Sequence, residues 1–329
     1  MKSVQATWKQ LLVKNAPLAR SSHDVSVSNG CLYVFGGEHV PRTPIDSTVY
    51  VLDLKTDELN WTSLNATCDV PPHRVAHAQA IIGDDLYVFG GRQGIKMDEK
   101  PLNDLHRLHL PTLKWERITA TAPPSARSFH KMISVRSDLF VFGGCGESGR
   151  LNDLHCFHTA TNTWEALPTH AGITGRGGPS FAASTDGSNL VVATGFSGQE
   201  NNDVHVYNVN SKTWRTTIEP GSNAFRARSV CGATTIGKIM VIAGGEVNTS
   251  DLGHEGAGDF CNDLVCLDTS TGFLIPSITD GERPLARGWT AMAAVNSTSA
   301  VLFGGLSGND EAPLRLDDTW LLQVEEAQE

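Results

Sequence analysis

One polar, glycine-rich segment, residues 246–259, carries side chains suited to chemistry. Glu246, Asp251 and His254 lie within nine residues of one another in this segment. One imidazole with two carboxylates offers nitrogen and oxygen ligands, a set that suits iron(II) or manganese better than a structural zinc. The residues therefore indicate a divalent metal site, although a solvated surface loop with the same composition is the alternative.

Six arginines form a second recurring feature. Each precedes an expected innermost strand, and they are Arg20, Arg74, Arg127, Arg176, Arg228 and Arg287. We expect these side chains to line a central channel and to make an anion-attracting cavity there, although the chain has a net charge of −10. The alternative is a structural role, in which each guanidinium holds backbone carbonyls.

The elements that must position these residues are six repeats of about fifty residues each. A hydrophobic run ends in a glycine pair at Gly37, Gly91, Gly144, Gly245 and Gly305, with a degenerate copy at Gly195. A polar loop and a later tryptophan follow four of these runs, at Trp61, Trp115, Trp164 and Trp214. This pattern resembles the kelch repeat, in which each copy builds one four-stranded blade of a propeller. Each late tryptophan is expected to fill the gap between neighbouring blades.

The last repeat ends before a tryptophan of its own, so we expect the N-terminus to complete it. Trp8 lies in a hydrophobic segment that predicts an outer strand at about residues 6–14. That strand would close the ring and remove the open sheet edges. The predicted fold is all-β, a single six-bladed propeller over residues 1–329 whose last blade is closed by the N-terminal strand.

Composition agrees with a soluble propeller. No apolar leader follows Met1, and no run approaches the roughly 20 apolar residues of a membrane span. The 7 cysteines lack metal-site spacing, which favours a reduced, cytoplasmic protein. Because the chain is acidic, we expect neither nucleic acid nor a membrane as a partner. A monomer or weak homodimer is expected.

Several local matches are similar to the specifier proteins of glucosinolate breakdown, a family of nitrile-specifier, epithiospecifier and thiocyanate-forming proteins. They are Glu246-Val247, His254 before Gly256-Ala257-Gly258, Arg176-Gly177-Gly178 ahead of Phe181, and the Arg287-Gly288-Trp289-Thr290-Ala291 run. The resemblance implies a six-bladed propeller that uses Fe(II). Its implied activity diverts a glucosinolate aglucone, released by myrosinase, from isothiocyanate toward nitriles or related products.

The resemblance also implies a ligand set for the iron. The family's glutamate, aspartate and histidine fall on Glu246, Asp251 and His254. One departure concerns the aspartate, which the family places midway between the other two ligands, where this chain has Ser250. Asp259 and Glu255 are therefore alternative ligands.

The family's substrate-binding residues match a second group of positions. Arg92 and Arg150 correspond to arginines that grip the aglucone sulfate, for which a planar guanidinium is well suited because it donates two parallel hydrogen bonds. Phe129 and Trp289 match pocket walls, and Arg42 lies near a cationic residue of the first-repeat loop.

Two other functional classes are compatible with the sequence. Kelch propellers commonly serve as interaction scaffolds, and the fold alone does not establish catalysis. Another enzyme on the same scaffold is the second alternative, such as a sugar epimerase or an oxidase. A copper oxidase is disfavoured because the four tyrosines suggest no tyrosine and cysteine constellation for the metal.

Overall fold

Six antiparallel sheets are arranged around one axis in this computed structural model, which describes residues 3–94 and 99–326, apart from the side chains of His254 and Glu326. The innermost strand of each sheet contacts those of both neighbours, so the ring is closed. The predicted all-β, six-bladed propeller is confirmed. Within the described ranges, no helix is long and apolar enough to cross a membrane.

Each blade has four main strands, which follow one another from the axis outward. Blade one consists of Asp24–Ser28, Cys31–Phe35, Val49–Asp53 and Trp61–Leu64. Blade two consists of Ala78–Ile82, Asp85–Phe89, Leu105–His109 and Lys114–Ile118. Blade three consists of Lys131–Val135, Asp138–Cys145, Arg150–His158 and Thr163–Leu167. Blade four consists of Ser180–Ala183, Asn189–Ala193, Val204–Asn208 and Thr213–Ile218. Blade five consists of Gly232–Ile236, Ile239–Asn248, Asp259–Asp268 and Leu274–Ile275. Blade six consists of Ala291–Asn296, Ser299–Asn309, Ala312–Glu326 and Val4–Leu11.

Short segments supplement the blades. They are the hairpins Glu38–Val40 with Thr43–Pro44 and Arg92–Gln93 with Lys100–Pro101, the added strands Thr67–Cys68 and Ser277–Asp280, and the 3-10 turn Gly253–Glu255.

The N-terminal strand closes the ring as predicted. Val4–Leu11 pairs antiparallel with Ala312–Glu326, and Trp8 lies opposite Leu322. The strand begins at Val4, slightly earlier than the sequence pattern indicates. Its other edge pairs in parallel with Ser277–Asp280, which follows blade five. This extra strand covers an edge that would otherwise be open.

The late tryptophans pack between blades, also as expected. Each contacts a phenylalanine from the second strand of the preceding blade. The ring-centroid distances are 5.1 Å for Trp61–Phe303, 5.8 Å for Trp115–Phe35, 5.0 Å for Trp164–Phe89 and 6.1 Å for Trp214–Phe142. These contacts bury apolar area at every one of these seams and so stabilise the closed ring.

The six arginines do not line the channel, so that expectation was wrong. All six are at most 1% exposed. Each donates to a carbonyl at the end of the second strand, as Arg176 does to Thr194 at 2.9 Å. In five blades an aspartate neutralises the guanidinium through two hydrogen bonds, in the pairs Arg74–Asp104, Arg127–Asp153, Arg176–Asp203, Arg228–Asp263 and Arg287–Asp318. The structural alternative is the correct one, because a buried charge requires such pairing.

A ring of backbone hydrogen bonds surrounds the axis two residues after each arginine. The N–H of each member donates to the carbonyl of the member one blade earlier, at 2.7–2.9 Å, through Ser22, Ala76, Phe129, Gly178, Val230 and Trp289. All six have left-handed backbone, with φ between 49° and 59°. We call this set the axial ring. It lies between the loops that follow the glycine pairs and an axial cavity of about 520 Å³ lined by the innermost strands.

The axial ring predicts a measurable stability difference between two glycines that share the same φ angle. Gly178 and Gly83 both have φ of +59°, but a Cβ on Gly178 would lie 2.5 Å from Cγ1 of Val230, whereas nothing surrounds Gly83 within 4 Å. Gly83→Ala should lower the free energy of unfolding by about 1 kcal/mol through backbone strain alone. Gly178→Ala should lower it by about 2 kcal/mol, since overpacking adds to the strain. Denaturant unfolding of both variants checks this difference, and equal losses would contradict it.

Candidate functional site

The residue that follows each glycine pair has an equivalent position around the axial ring. Each forms a backbone bridge to the residue just after the buried arginine of its own blade, as Glu246 does to Ser229. The six residues are Glu38, Arg92, Cys145, Phe196, Glu246 and Leu306, with Phe196 following the single glycine of the degenerate repeat. We call these residues and their loops the mouth. In a ring of six blades, blade two stands across the axis from blade five, so Arg92 and Glu246 occupy opposite sides of the mouth.

One side of the mouth is cationic and aromatic. The rings of Phe129 and Trp289 meet edge to face, with centroids 5.3 Å apart. The guanidinium of Arg92 lies 5.6 Å from the centroid of the Phe129 ring. Its Nε donates to the hydroxyl of Ser128 at 2.9 Å. Three residues expected to bind substrate are therefore close neighbours.

Arg150 approaches the same side from blade three. Its side chain is exposed, and its guanidinium lies 4.6 Å from the centroid of the Phe196 ring. Burial raises the pKa of the Cys145 thiol, and the positive charges of Arg92 and Arg150 both oppose that rise. Both positive charges therefore act on one thiol, and an anion bound beside Cys145 would be within the field of both.

Glu99 is a functional candidate that sequence reasoning missed. Its carboxylate accepts hydrogen bonds from Arg42 at 2.9 Å and from Arg92 at 3.1 Å, and the Glu99 side chain is only 8% exposed. The hairpin after the second glycine pair brings Glu99 beside Arg92. Two guanidinium groups and one carboxylate leave a net charge of +1, so an anionic ligand has to compete with Glu99 for donors.

The opposite side of the mouth is acidic. Glu246 is 4% exposed. Burial, followed by the negative charge of Glu200, raises the pKa of Glu246 to about 8, although backbone N–H groups of Gly258 and Ser250 oppose the shift. Burial also raises the pKa of Glu200 to about 7. Glu200 comes from the blade-four loop and was not among the predicted ligands.

These buried carboxyl groups fit a divalent cation. Oε2 of Glu200 is buried and has no hydrogen-bond partner among the residues that the structure describes. A Cβ at position 258 would lie 2.7 Å from Oε1 of Glu246, so only glycine allows the loop to approach this closely. The free-energy cost of burying two carboxylates is offset when both bind the same cation, and their oxygen atoms are suitable ligands for a hard one. Asp310 of blade six also faces Glu246, since its charge raises the pKa of that carboxyl.

The other three predicted carboxylate ligands are exposed rather than buried. Asp251 and Glu255 are exposed, and Asp259 is exposed and accepts a hydrogen bond from Asn248 at 2.8 Å. The backbone of His254 lies in the 3-10 turn, but its side chain is outside the described part of the chain.

The inward-facing residue at the centre of this loop is Ser250. It is 7% exposed and donates to Oδ1 of Asp310 at 2.6 Å. The same Asp310 oxygen accepts from the backbone N–H of Ala257 at 2.8 Å. A carboxylate from the next blade therefore reaches the middle of the loop, where the family pattern has an aspartate. Asp251, one residue later, is turned toward solvent.

The raised pKa of Glu246 predicts how the stability of the metal-free protein changes with pH. The folded state retains a proton on Glu246 up to pH about 8, whereas an unfolded glutamate loses it near pH 4.3. The contribution of this carboxyl to the free energy of unfolding is therefore fully present at low pH. It is lost as pH rises through this window, by up to about 1.4 kcal/mol per pH unit. Glu246→Gln should flatten this slope in chelator-treated protein, as measured by urea unfolding at a series of pH values. A slope unchanged by the substitution would contradict the assignment.

Comparisons with known proteins agree on the architecture. The family model described as "KLHDC2/KLHL20/DRC7 Kelch-repeats domain" matches residues 22–245 and 175–328. A solved structure described as "Structure of YjhT" superposes with a TM-score of 0.75 and 18% identity, covering 94% of this chain and 98% of that one. At that identity the likeness concerns the fold alone.

Two curated relatives differ in how much of the chain they match. "N-(sulfonatooxy)prop-2-enimidothioate sulfolyase" from Thlaspi arvense is 28% identical over 333 aligned residues, covering 92% of this chain and 93% of that protein. "Kelch domain-containing protein 10" from Homo sapiens is 36% identical over 129 residues, which cover 36% of this chain and 28% of that protein. The full-length similarity is therefore to a protein named as a lyase.

Proposed function

We propose that this chain, which belongs to the kelch-repeat family, is an iron(II)-dependent specifier protein. In this role it diverts glucosinolate aglucones toward nitriles or related products. The observation that supports the proposal best is the mouth, where guanidinium and aromatic groups stand across the axis from buried carboxyl groups. The full-length relative from Thlaspi arvense, named as a lyase of a sulfonatooxy imidothioate, supports the same substrate class.

The proposed substrate carries a sulfate ester and a thiolate at opposite ends of a small C=N unit. Arg92 and Arg150 bind the sulfate in this proposal, because both positive charges act on the same thiol, that of Cys145. They also stabilise the negative charge that grows on the sulfate as the N–O bond breaks. Arg42 supports Arg92 through the shared Glu99. Phe129 and Trp289 contact the apolar side chain of the substrate.

Glu246 and Glu200 would hold the metal, with His254 as the nitrogen ligand implied by the family. Asp310 orders the loop around them through Ser250 and Ala257. When bound, iron(II) supplies a Lewis acid with affinity for the substrate sulfur. Because burial keeps a proton on Glu246 up to pH about 8, that proton has to leave before the carboxylate becomes a ligand.

The test is a product assay. Allylglucosinolate is hydrolysed by myrosinase with added iron(II), with and without the purified protein, and the products are identified by gas chromatography and mass spectrometry. The proposal requires nitrile, epithionitrile or thiocyanate to increase at the expense of isothiocyanate only when both protein and iron are present. Unchanged isothiocyanate at saturating protein and iron would leave an interaction scaffold as the better description.

A further inference from the structure

A group of potential metal ligands lies on blade three, outside the mouth. Asp138, Cys156 and His158 each place a ligand atom within 4.8 Å of the other two. Asp138 is the cross-strand neighbour of His158. Cys156 precedes His158 by two residues, so both side chains are on the same face of the sheet. Two paired strands therefore present a carboxylate, a thiol and an imidazole at one place.

Two of the distances between these atoms, both measured from the imidazole, are close to those of a tetrahedral site. Nδ1 of His158 lies 3.3 Å from Oδ2 of Asp138 and 3.9 Å from Sγ of Cys156. Zinc bonds of about 2.0 Å to nitrogen and oxygen and about 2.3 Å to sulfur place tetrahedral nitrogen and oxygen ligands about 3.3 Å apart. The same bonds place nitrogen and sulfur about 3.5 Å apart. The thiol of Cys156 would therefore have to move slightly toward the imidazole to match the nitrogen-to-sulfur distance of a zinc site.

The second nitrogen of the imidazole already has the partner that a metal-bound histidine needs. Nε2 of His158 lies 3.3 Å from Oε2 of Glu165, on the neighbouring outer strand. Lys212 of blade four holds the other oxygen of Glu165 at 2.6 Å. A carboxylate that accepts the Nε2–H fixes the tautomer in which Nδ1 is free to bind a metal.

Tyr207 is an independent observation pointing to this place. It is 1% exposed, and its hydroxyl is buried without a hydrogen-bond partner in the described ranges of the chain. Its side chain packs in the same buried cluster as that of Cys156. A water bound to a metal beside Cys156 would give the orphaned hydroxyl a partner.

We propose that Asp138, Cys156 and His158 form a zinc site at the junction of blades three and four, with water as the fourth ligand. A thiolate with an imidazole selects zinc over the hard cations that oxygen ligands prefer. Cys156 is 2% exposed, whereas the side chains of Asp138 and His158 are about one-third exposed. The ion can therefore enter from solvent and shield a buried sulfur. This site is separate from the mouth and does not depend on the proposed function.

Cobalt(II) is a suitable probe, because its complexes with thiolates absorb in the near ultraviolet. Chelator-treated protein titrated with cobalt should develop a thiolate charge-transfer band that saturates at one equivalent and is removed by zinc. His158→Asn and Asp138→Asn should remove most of the band. Glu165→Gln should weaken cobalt binding about tenfold, as expected for loss of the partner that orients the imidazole. Glu246→Gln, at the mouth, should leave the band unchanged.

Cys266 is a matched control for Cys156. It occupies the equivalent position in blade five and is fully buried, but Ile239 and Asp268 stand where blade three has Asp138 and His158. The band should persist in Cys266→Ser and disappear in Cys156→Ser. If Cys156→Ser fails to fold, as judged by circular dichroism, the variants at the two partly exposed ligands decide the question.

Three results would overturn the proposal. They are a band that survives both His158→Asn and Asp138→Asn, a band lost in Cys266→Ser, and the absence of any band at excess cobalt. In the last case, the imidazole of His158 would serve only to link the carboxylates of Asp138 and Glu165.

Discussion

Glu246→Gln is expected to abolish iron(II) binding at the mouth and, with it, the diversion of products. The amide keeps the shape of the side chain but removes the negative charge that holds a hard cation. We expect at least a hundredfold loss of iron affinity, measured by titration of chelator-treated protein, and product ratios equal to those without protein. The propeller should remain folded, because glutamine has nearly the same volume as glutamate and leaves no cavity.

The second carboxylate ligand can be identified with matched variants. Glu200→Gln should weaken iron binding nearly as much as Glu246→Gln does, because Oε2 of Glu200 is buried and the charge of Glu200 acts on Glu246. Asp251→Asn should weaken it far less, since Asp251 is exposed. Ser250→Ala should have an intermediate effect through loss of the contact with Asp310. The reverse order, with Asp251 dominant, would restore the ligand set that the family resemblance implies. Full activity of His254→Ala after chelation would contradict a metal site altogether.

Arg92→Ala is expected to lower turnover efficiency roughly tenfold to a hundredfold. This range corresponds to the loss of a charge-assisted hydrogen bond worth about 1.5–3 kcal/mol. Arg92→Lys should retain part of the activity, because lysine keeps the charge but loses the bidentate fork. The ratio kcat/KM, measured from nitrile formation at saturating iron, tests both changes.

The control for Arg92 is an arginine outside the mouth. Arg117, exposed on the outer strand of blade two, is suitable, and Arg117→Ala should leave kcat/KM unchanged. Arg150→Ala should show a loss similar to that of Arg92→Ala, since both positive charges act on the Cys145 thiol. If neither arginine affects kcat/KM while iron binding is intact, the sulfate does not bind on this side of the mouth.

The architecture was predictable because its signals are local. Hydrophobic runs, glycine pairs and late tryptophans recur within each repeat, and each pattern specifies a strand, a tight turn or an inter-blade contact. The closure of the ring by the strand that contains Trp8 was also predictable, because the last repeat lacks a late tryptophan of its own. The roles of the buried arginines were harder to predict, because their aspartate partners lie 26–35 residues later. The recurring Asn-Asp pairs, such as Asn103-Asp104 and Asn152-Asp153, are the signal that could have indicated them.

The composition of the mouth depends on tertiary structure. Glu99, Glu200 and Asp310 come from three different blades, and no short motif connects them with Arg92 or Glu246. The sequence also did not indicate that Ser250 is buried and Asp251 is exposed, because a loop has no periodic pattern that assigns a side chain to one face. By itself, the sequence determined the blades, their closure and the position of the fifth-blade loop. Only the closed ring decided which charges meet, because it brings together loops that are far apart in the chain and buries carboxyl groups that would ionise freely in water.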